Sequence, residues 1–269
     1  MIDADGRRSL ELRSDCARCV GLCCVAPAFQ RSSAFAFDKP AGTPCRNLQG
    51  DYRCAIHTEL RERGMSGCTV YECFGAGQRV VQELYDGRDW LSAPEVRQEM
   101  FAAFEVVERL HELLWYLQDA LARPAVATLR DELEGLCDGV DAACRAPVPG
   151  DVAPFQLRAD GLLGDASRLV RAGSDGPDLR GRDLSGQDLR GRELTGASLR
   201  GAVLIGADLR DHDLGPADLL GADLRAADVA GTDLSDALFL TQFQVNAARG
   251  DAATRLPDRL ARPPYWRVR

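Results

Sequence analysis

Eight of the ten cysteines lie in the first 73 residues: Cys16, Cys19, Cys23 and Cys24 in CARCVGLCC, Cys45 and Cys54 in PCRNLQGDYRCAIH, and Cys68 and Cys73 in GCTVYEC. Thiolates are preferred ligands of zinc and of iron-sulfur clusters, and in a reducing compartment such clustering points to metal ligation before a disulfide framework. The two-residue spacing of Cys16 and Cys19 lets both thiolates of one tight turn meet a single metal. Cys23 and Cys24 are adjacent. Neighbouring side chains of an extended segment point apart, so the pair is expected to serve different centres, or one of them to be spare. With His57 beside Cys54, the set suffices for two tetrahedral zinc sites, or for one iron-sulfur cluster with ligands left over. His57 is as well suited to orient a ligand as to be one. The expected metal residues are Cys16, Cys19, Cys23, Cys24, Cys45, Cys54, His57, Cys68 and Cys73, and no catalytic residue is assigned.

The elements that must position these side chains follow from patterning. Residues 1–77 have little periodicity beyond short apolar patches such as AFAF at 34–37, so metal is expected to replace a large core there and folding to depend on it. Residues 78–146 read as a helical hairpin. Ser92 with Glu95 forms a capping-box pattern with Pro94 in the first turn. From there Val96, Met100, Ala103, Val107, Leu110, Leu114, Leu117 and Leu121 recur in steps of three and four until Pro124 stops the helix. Leu129, Leu133, Leu136 and Val140 give a second seam. Cys137 and Cys144, seven apart on one face, are expected to pack in the core, and His111 beside the first seam to be a packed histidine. Residues 147–176, opening on PVPGDVAP, read as a linker, and 244–269 as a terminal cap or tail.

Between them, over 177–243, the period becomes five. Leu179, Leu184, Leu189, Leu194, Leu199, Leu204, Leu209, Leu214, Leu219, Leu224, Val229, Leu234 and Phe239 are each five residues apart, with alanine two positions earlier at 197, 202, 207, 217, 222, 227 and 237. Neither a helix nor a flat strand keeps one face apolar at that spacing; a coil with turns at its corners does. GADLRDHDLGPADLLGADLRAADVAGTDLSDALF resembles the pentapeptide-repeat family. The resemblance implies a right-handed quadrilateral β-helix of about three coils, roughly 15 Å long at the strand spacing. Arg182, Gln187 and Arg192 depart from its small inward residue, and the tail resembles the ending of many actinobacterial members. The cysteine segment, with its CxxC, CC pair, Pro44-Cys45, Cys54-Ala55-Ile56-His57 and closing Cys68 and Cys73, resembles the cysteine-cluster family described as a zinc- or iron-chelating domain. That family supplies a site without a reaction. The expected fold class is thus mixed: a cysteine-rich metal module, an α-helical hairpin and a C-terminal β-helix solenoid.

The net charge of −8 argues against generic nucleic-acid binding, which needs a dense cationic face. The start MIDADGRRSLELRSD has no apolar run and nowhere do eighteen apolar residues run together, so neither secretion nor membrane insertion is expected and the cytoplasm is the expected compartment. Asp178, Asp183, Asp188, Glu193, Asp208, Asp213, Asp218, Asp223, Asp228 and Asp233 form an acidic series. Some pentapeptide-repeat proteins present such a rod as a DNA mimic to type II topoisomerases. Here Arg180, Arg190, Arg200, Arg210 and Arg225 interleave with the carboxylates, which places mimicry last. GAGQ at 75–78 lacks the strand, third glycine and acidic partner of a nucleotide fingerprint. The CX2CX3C order reverses that of radical-SAM enzymes, and no Ser-His-acid set is spaced for catalysis. The expected function is a metal-binding protein, holding an iron-sulfur cluster or Zn²⁺, whose solenoid is a scaffold for a protein partner, with a redox or oxygen response if the centre holds iron. A metal-dependent enzyme, an oxidoreductase or modifying activity, is the alternative. Assembly with a second copy through the solenoid ends is a further expectation.

Overall fold

The computed structural model describes residues 10–174 and 176–266. The chain divides into two units, Met1–Gln118 with Glu132–Asp160, and Asp119–Asp131 with Gly161–Arg269. The cysteine-rich residues therefore share a unit with most of the first two long helices.

In the first unit the cysteine-rich residues fold as short pieces: a 3₁₀ turn Cys16–Arg18, helix α1 Leu22–Val25, a 3₁₀ turn His57–Glu59, α2 Ser66–Val70 and α3 Ala76–Arg79, which continues as a π turn Val80–Leu84. Two antiparallel bridges, Phe29 with Lys39 and Leu48 with Cys54, tie the loops between them. Long helices follow: α4 Arg97–Leu121, α5 Arg130–Arg145 and α6 Val152–Val170. Met100, Phe104, Val107, Leu110, Leu114 and Leu117 of α4 and Leu133, Leu136, Val140 and Cys144 of α5 are all buried, as the seams predict.

Two details differ from the sequence reading. The turn before α4 is capped by Asp89, whose carboxylate accepts the N–H groups of Leu91 and Ser92 and the Ser92 hydroxyl; Ser92 caps nothing. Residues 147–176 are also not simply a linker, because α6 occupies most of them. Pro154 lies in the first turn of α6, where its missing N–H breaks no helical bond. Among the described residues no helix is long and apolar enough to cross a membrane.

In the second unit the period of five becomes a four-sided coil. Single-residue parallel bridges stack in four columns at a step of twenty residues: Asp178, Ser198, Asp218 and Leu238; Asp183, Val203 and Asp223; Asp188, Asp208 and Asp228; Asp213 and Asp233. Most leucine N–H groups of the series donate to the next coil, as from Leu184 to Val203 at 2.8 Å, and the next coil donates back, as from Val203 to Arg182 at 2.9 Å. Each side is too short for more than a bridge before the chain turns, so no longer strand forms here among the described residues. The leucines from 184 to 234 and the alanines two positions before them fill the interior. Where the small position is polar, the side chain finds a carbonyl inside the coil: Thr232 Oγ1 donates to Leu209 at 2.6 Å, and His212 Nε2 meets that of Leu189 at 2.9 Å. In the first coil Arg182 and Arg192 turn outward and are exposed.

The tail does more than end the coil. After α7, Gln242–Ala247, with its Thr241–Gln244 capping box, Arg249 bridges to Asp228 and Arg255 to Asp233, one and two residues later than the twenty-residue step. The residues read as a cap thus continue the winding.

Candidate functional site

All eight N-terminal cysteines are free thiols; Cys45 is buried, Cys16 exposed and the others half-buried. A local motif occurs twice among them. Cys19 is followed by Val20 and then Gly21, which takes φ +67° at the N-terminus of α1; Cys73 is followed by Phe74 and Gly75, φ +79°, at the N-terminus of α3. The turn aims helix-terminal N–H groups back at sulfur: those of Leu22 and Gly21 at Cys19, those of Gly77 and Gly75 at Cys73. The left-handed glycine is required by that reversal. Ser14 Oγ adds a contact to Cys73 Sγ at 3.0 Å. Ile56 N–H serves Cys54 in the same way. Such donors favour thiolate and are the outer-shell contacts that tune metal-bound sulfur.

Burial opposes them. It pushes Cys19 up to about 11 and Cys68 to about 12, and raises Cys16, Cys54 and Cys73. Cys23 and Cys24 share a contact between sulfurs 4.0 Å apart, which raises Cys23 and holds Cys24 below the usual thiol range; Lys39 also lowers Cys24.

The sulfurs sort by the neighbours that act on them. Cys16 responds first to Cys73, and after Glu72 to Cys24; Cys19 responds to Cys73 and Cys16; Cys23 responds, beyond its neighbour Cys24, to Cys19 and Cys73. Cys54 responds to Cys24 and Cys45, and Cys68 to Cys24, Cys45 and Cys54. Backbone geometry follows the same division. Gly77 touches both Cys19 and Cys73: a Cβ on it would stand 2.6 Å from Cys19 Sγ, while its N–H points to Cys73. The Cys45 N–H donates to the Cys24 carbonyl at 2.9 Å, and Leu48 links Cys45 to Cys54 through its N–H to the Cys45 carbonyl and its bridge to Cys54. Of the predicted residues His57 is set apart. It is exposed, and its N–H donates to the Cys54 carbonyl.

As the side chains stand, no three His, Cys, Asp or Glu among the described residues are grouped as around a metal ion. The donor chemistry nonetheless fits one. It comprises eight free thiols in one unit, with N–H donors already directed at Cys19, Cys54 and Cys73.

Two surroundings escaped sequence reasoning. Lys39 is 3% exposed, and its ammonium donates to the carbonyls of Val25, Pro40 and Thr43 at 3.0, 3.2 and 3.0 Å. Burial lowers its affinity for the proton, and Cys45, Cys24 and Cys23 raise it. Behind Cys73, the Phe74 carbonyl accepts from His111 Nδ1 at 2.7 Å, and His111 Nε2 lies 3.2 Å from buried Arg79, which pairs with Asp141 at 2.6 Å. The recurring Cys-x-Gly was the available sequence signal for the first arrangement. Nothing marked Lys39 or Arg79. Of the later cysteines Cys144 is buried, as expected of a core residue, and Cys137 half-buried.

The chain is 52% identical over 266 residues to YybG, an uncharacterized protein of Bacillus subtilis (strain 168), covering 96% of this chain and 95% of that one. The chain belongs to the YybG family. Residues 183–215 match the family model for pentapeptide repeats in eight copies. Among solved structures it is similar to HetL, a pentapeptide repeat protein involved in heterocyst differentiation regulation in the cyanobacterium Nostoc sp. strain PCC 7120. The identity is 29%, the TM-score 0.20, and the match covers 30% of this chain and 34% of HetL. A pentapeptide repeat protein of the Arabidopsis thaliana thylakoid lumen is 32% identical with a TM-score of 0.16, over 34% of this chain and 62% of that one. The coil itself is established by its bridges and backbone hydrogen bonds.

Proposed function

We propose that this protein is a thiolate metal-binding protein of the cytoplasm, in which residues 1–77 hold zinc or iron-sulfur and the pentapeptide coil, a right-handed β-helix, is a scaffold for a protein partner. The observation that carries the reading is the concentration of eight free cysteines in one unit, three of whose sulfurs, those of Cys19, Cys54 and Cys73, already receive backbone N–H groups. Cys16, Cys19, Cys23, Cys24, Cys45, Cys54, Cys68 and Cys73 would hold the metal, with His57, exposed beside Cys54, as a further candidate ligand or orienting residue. When bound, zinc would supply a structural crosslink, and an iron-sulfur centre a redox one that reports oxygen.

The coil suits a scaffold better than a DNA mimic, because many of its acidic residues are matched by arginines. Arg190 pairs with Asp188 at 2.7 Å and Asp208 at 3.2 Å, Arg210 pairs with Asp208 at 2.5 Å and lies 3.8 Å from Asp228, and Arg200 pairs with buried Asp218 at 3.1 Å. A ladder of alternating charge offers specific pairing to a partner in place of the uniform negative potential of DNA.

The deciding experiment is anaerobic purification with iron, zinc and acid-labile sulfide measured per chain beside an absorption spectrum. Iron with sulfide and a broad visible band assigns a redox centre. Zinc at one or two per chain without colour assigns a structural one. Protein that is folded and free of metal overturns the reading.

A further inference from the structure

The hydrogen-bond ladder between the first and second coils is closed where it begins, with Gly181 donating to Arg200 at 2.9 Å and Gly186 to Ile205 at 2.8 Å. From Gly191 it opens. The twenty-residue step directs the N–H groups of Gly191 and Leu194 at the carbonyls of Arg210 and Asp213, and the N–H of Asp213 back at Arg192. Among the described residues none of these three bonds is made, and no bridge joins Glu193 to Asp213 although Asp213 bridges onward to Asp233. The Asp213 carbonyl accepts the Thr195 hydroxyl at 2.7 Å instead, and Gly196 donates to Leu214 at 2.9 Å, one residue short of the register. The cause lies in the sequence. Arg192 and His212 both occupy the position that is small elsewhere, so two large side chains follow one another at the same corner of successive coils.

Between the parted coils is a cavity of about 360 Å³, walled by Arg190, Arg192 and Thr195 from the first coil and by Arg210 and His212 from the second. That volume is at the small end of small-molecule sites. The groups that face it are mainly donors. Arg192 pairs with no carboxylate among the described residues, its one hydrogen bond being to Gln187 Oε1 at 3.5 Å. Arg190 and Arg210 bind Asp188 and Asp208 through Nε and Nη2, and among the described residues their Nη1 groups donate to no carboxylate. Of the acidic residues in the wall, Asp211 lies against Gly231 of the third coil and Asp213 Oδ1 accepts the Gly215 N–H at 2.9 Å, which leaves exposed Glu193.

We propose that this gap binds the phosphoryl group of a small anionic ligand. Unpaired backbone N–H groups on both edges of a gap form an anion-binding concavity, and a tetrahedral oxyanion has acceptors enough to meet both edges at once. The planar fork of Arg192 matches two phosphate oxygens, and the remaining volume admits a small organic body attached to the phosphate. The site is independent of the cysteines and of any metal they hold.

The test is a titration of the isotope-labelled full-length protein with inorganic phosphate and with phenyl phosphate, followed by amide NMR at low ionic strength. The amides of Gly191, Leu194 and Asp213 should shift together and saturate, while those of Gly181 and Gly186, bonded in the closed part of the ladder, should stay in place. Tighter binding of phenyl phosphate assigns a phosphate ester and equal binding assigns free phosphate; either result supports the site. Arg192→Ala, which restores the small residue of the repeat, should weaken binding about tenfold, the loss of a charge-assisted hydrogen bond. Glu193→Gln should tighten binding, and Arg180→Ala, which removes an arginine of the same coil paired with Asp178, should leave it unchanged. The absence of a saturable shift in the three amides up to millimolar phosphate overturns the site, and acetate binding as tightly as phosphate overturns the phosphoryl assignment. Equal weakening in Arg180→Ala and Arg192→Ala would reduce the binding to diffuse attraction by surface charge and overturn the proposal.

Discussion

The carboxylate of Asp119, near the end of α4, accepts the backbone N–H of Phe239 at 2.6 Å, at the last step of the leucine series. Asp119 is buried and also pairs with Arg123 at 3.1 Å and Arg259 at 3.3 Å, while Arg123 donates to the carbonyls of Asp236 and Ala237. Phe239 needs such a tether, because a bulky residue at φ +61° persists only where its surroundings hold it.

Removing that carboxylate leaves two partly buried guanidinium groups and one N–H without it. Asp119→Ala should therefore destabilise the second unit by about 3 kcal/mol. Asp119→Asn, whose amide oxygen can still accept from Phe239, should lose less. Urea unfolding monitored by circular dichroism measures both, and a cost below about 1 kcal/mol for the alanine variant would show that the tether is dispensable.

A second outcome concerns the corners of the coil. Most take a left-handed glycine, but Ala226 adopts φ +56° in the same five-residue register. An L-residue there is strained by about 1–2 kcal/mol, of which the greater freedom of glycine in the unfolded chain cancels about 0.4–1 kcal/mol. Ala226→Gly should raise stability by about 0.5 kcal/mol or slightly more. Gly221→Ala, at φ +66° with open space around its Cα, should lower it by a similar amount. Opposite signs in thermal melts are the expected result; the same sign in both would remove the strain account.

Gly77 has helical backbone angles that alanine would accept, so any defect in Gly77→Ala comes from its new methyl group meeting Cys19 Sγ at 2.6 Å. Overpacking of this kind costs about 1–3 kcal/mol. Gly135→Ala, on α5 with nothing within 4 Å, is the control and should gain about 0.8 kcal/mol from helix propensity. If Gly77→Ala melts like the wild type, the close packing of Gly77 against Cys19 is not important to the module.

Acid sensitivity should arise in part from His111. Burial holds its imidazole down to about 4, the Phe74 carbonyl pulling the other way and Arg79 adding to the depression. The unfolded chain takes up this proton near 6.5, the folded chain only near 4. The stability tied to the neutral ring is thus fully present above pH 6.5, and about 3 kcal/mol of it is lost as the pH falls to 4. His111→Gln keeps one donor and one acceptor but no titration. Urea midpoints between pH 7.5 and 5 should fall for the wild type and flatten for the variant; parallel curves would assign the acid loss to other groups.

What was legible in the sequence was whatever repeats. A leucine every fifth residue announces a coil because each inward side chain occupies the same place on its side, and the α4 and α5 seams announce helices for the same reason. The α6 helix was missed because Gly150 and Pro154 read as linker residues, although a proline in the first helical turn costs no hydrogen bond. Ser92 matched a capping pattern, but Asp89, a few residues earlier, had already taken the N–H groups. The cysteine order showed that sulfur was concentrated at one end of the chain, but not which sulfurs meet. That depends on one glycine touching two of them and on one backbone bond from Cys45 to Cys24, contacts between segments far apart in sequence. Lys39 was hidden for the same reason: nothing in FDKPAG shows that its amine turns back onto three carbonyls.

The twenty-residue step of the columns also governs how this part of the chain can change in length. Asp188, Asp208 and Asp228 share a side only because a whole turn separates them. Deleting one pentapeptide between Arg190 and Asp208 would keep every leucine inside, yet rotate everything downstream by a quarter turn and carry Asp208 away from Arg190. Removing or duplicating twenty residues would leave each outward side chain above its old neighbour. Growth by whole turns lengthens the coil and preserves the pattern of its outward side chains, whereas growth by single repeats keeps the interior and scrambles the surface.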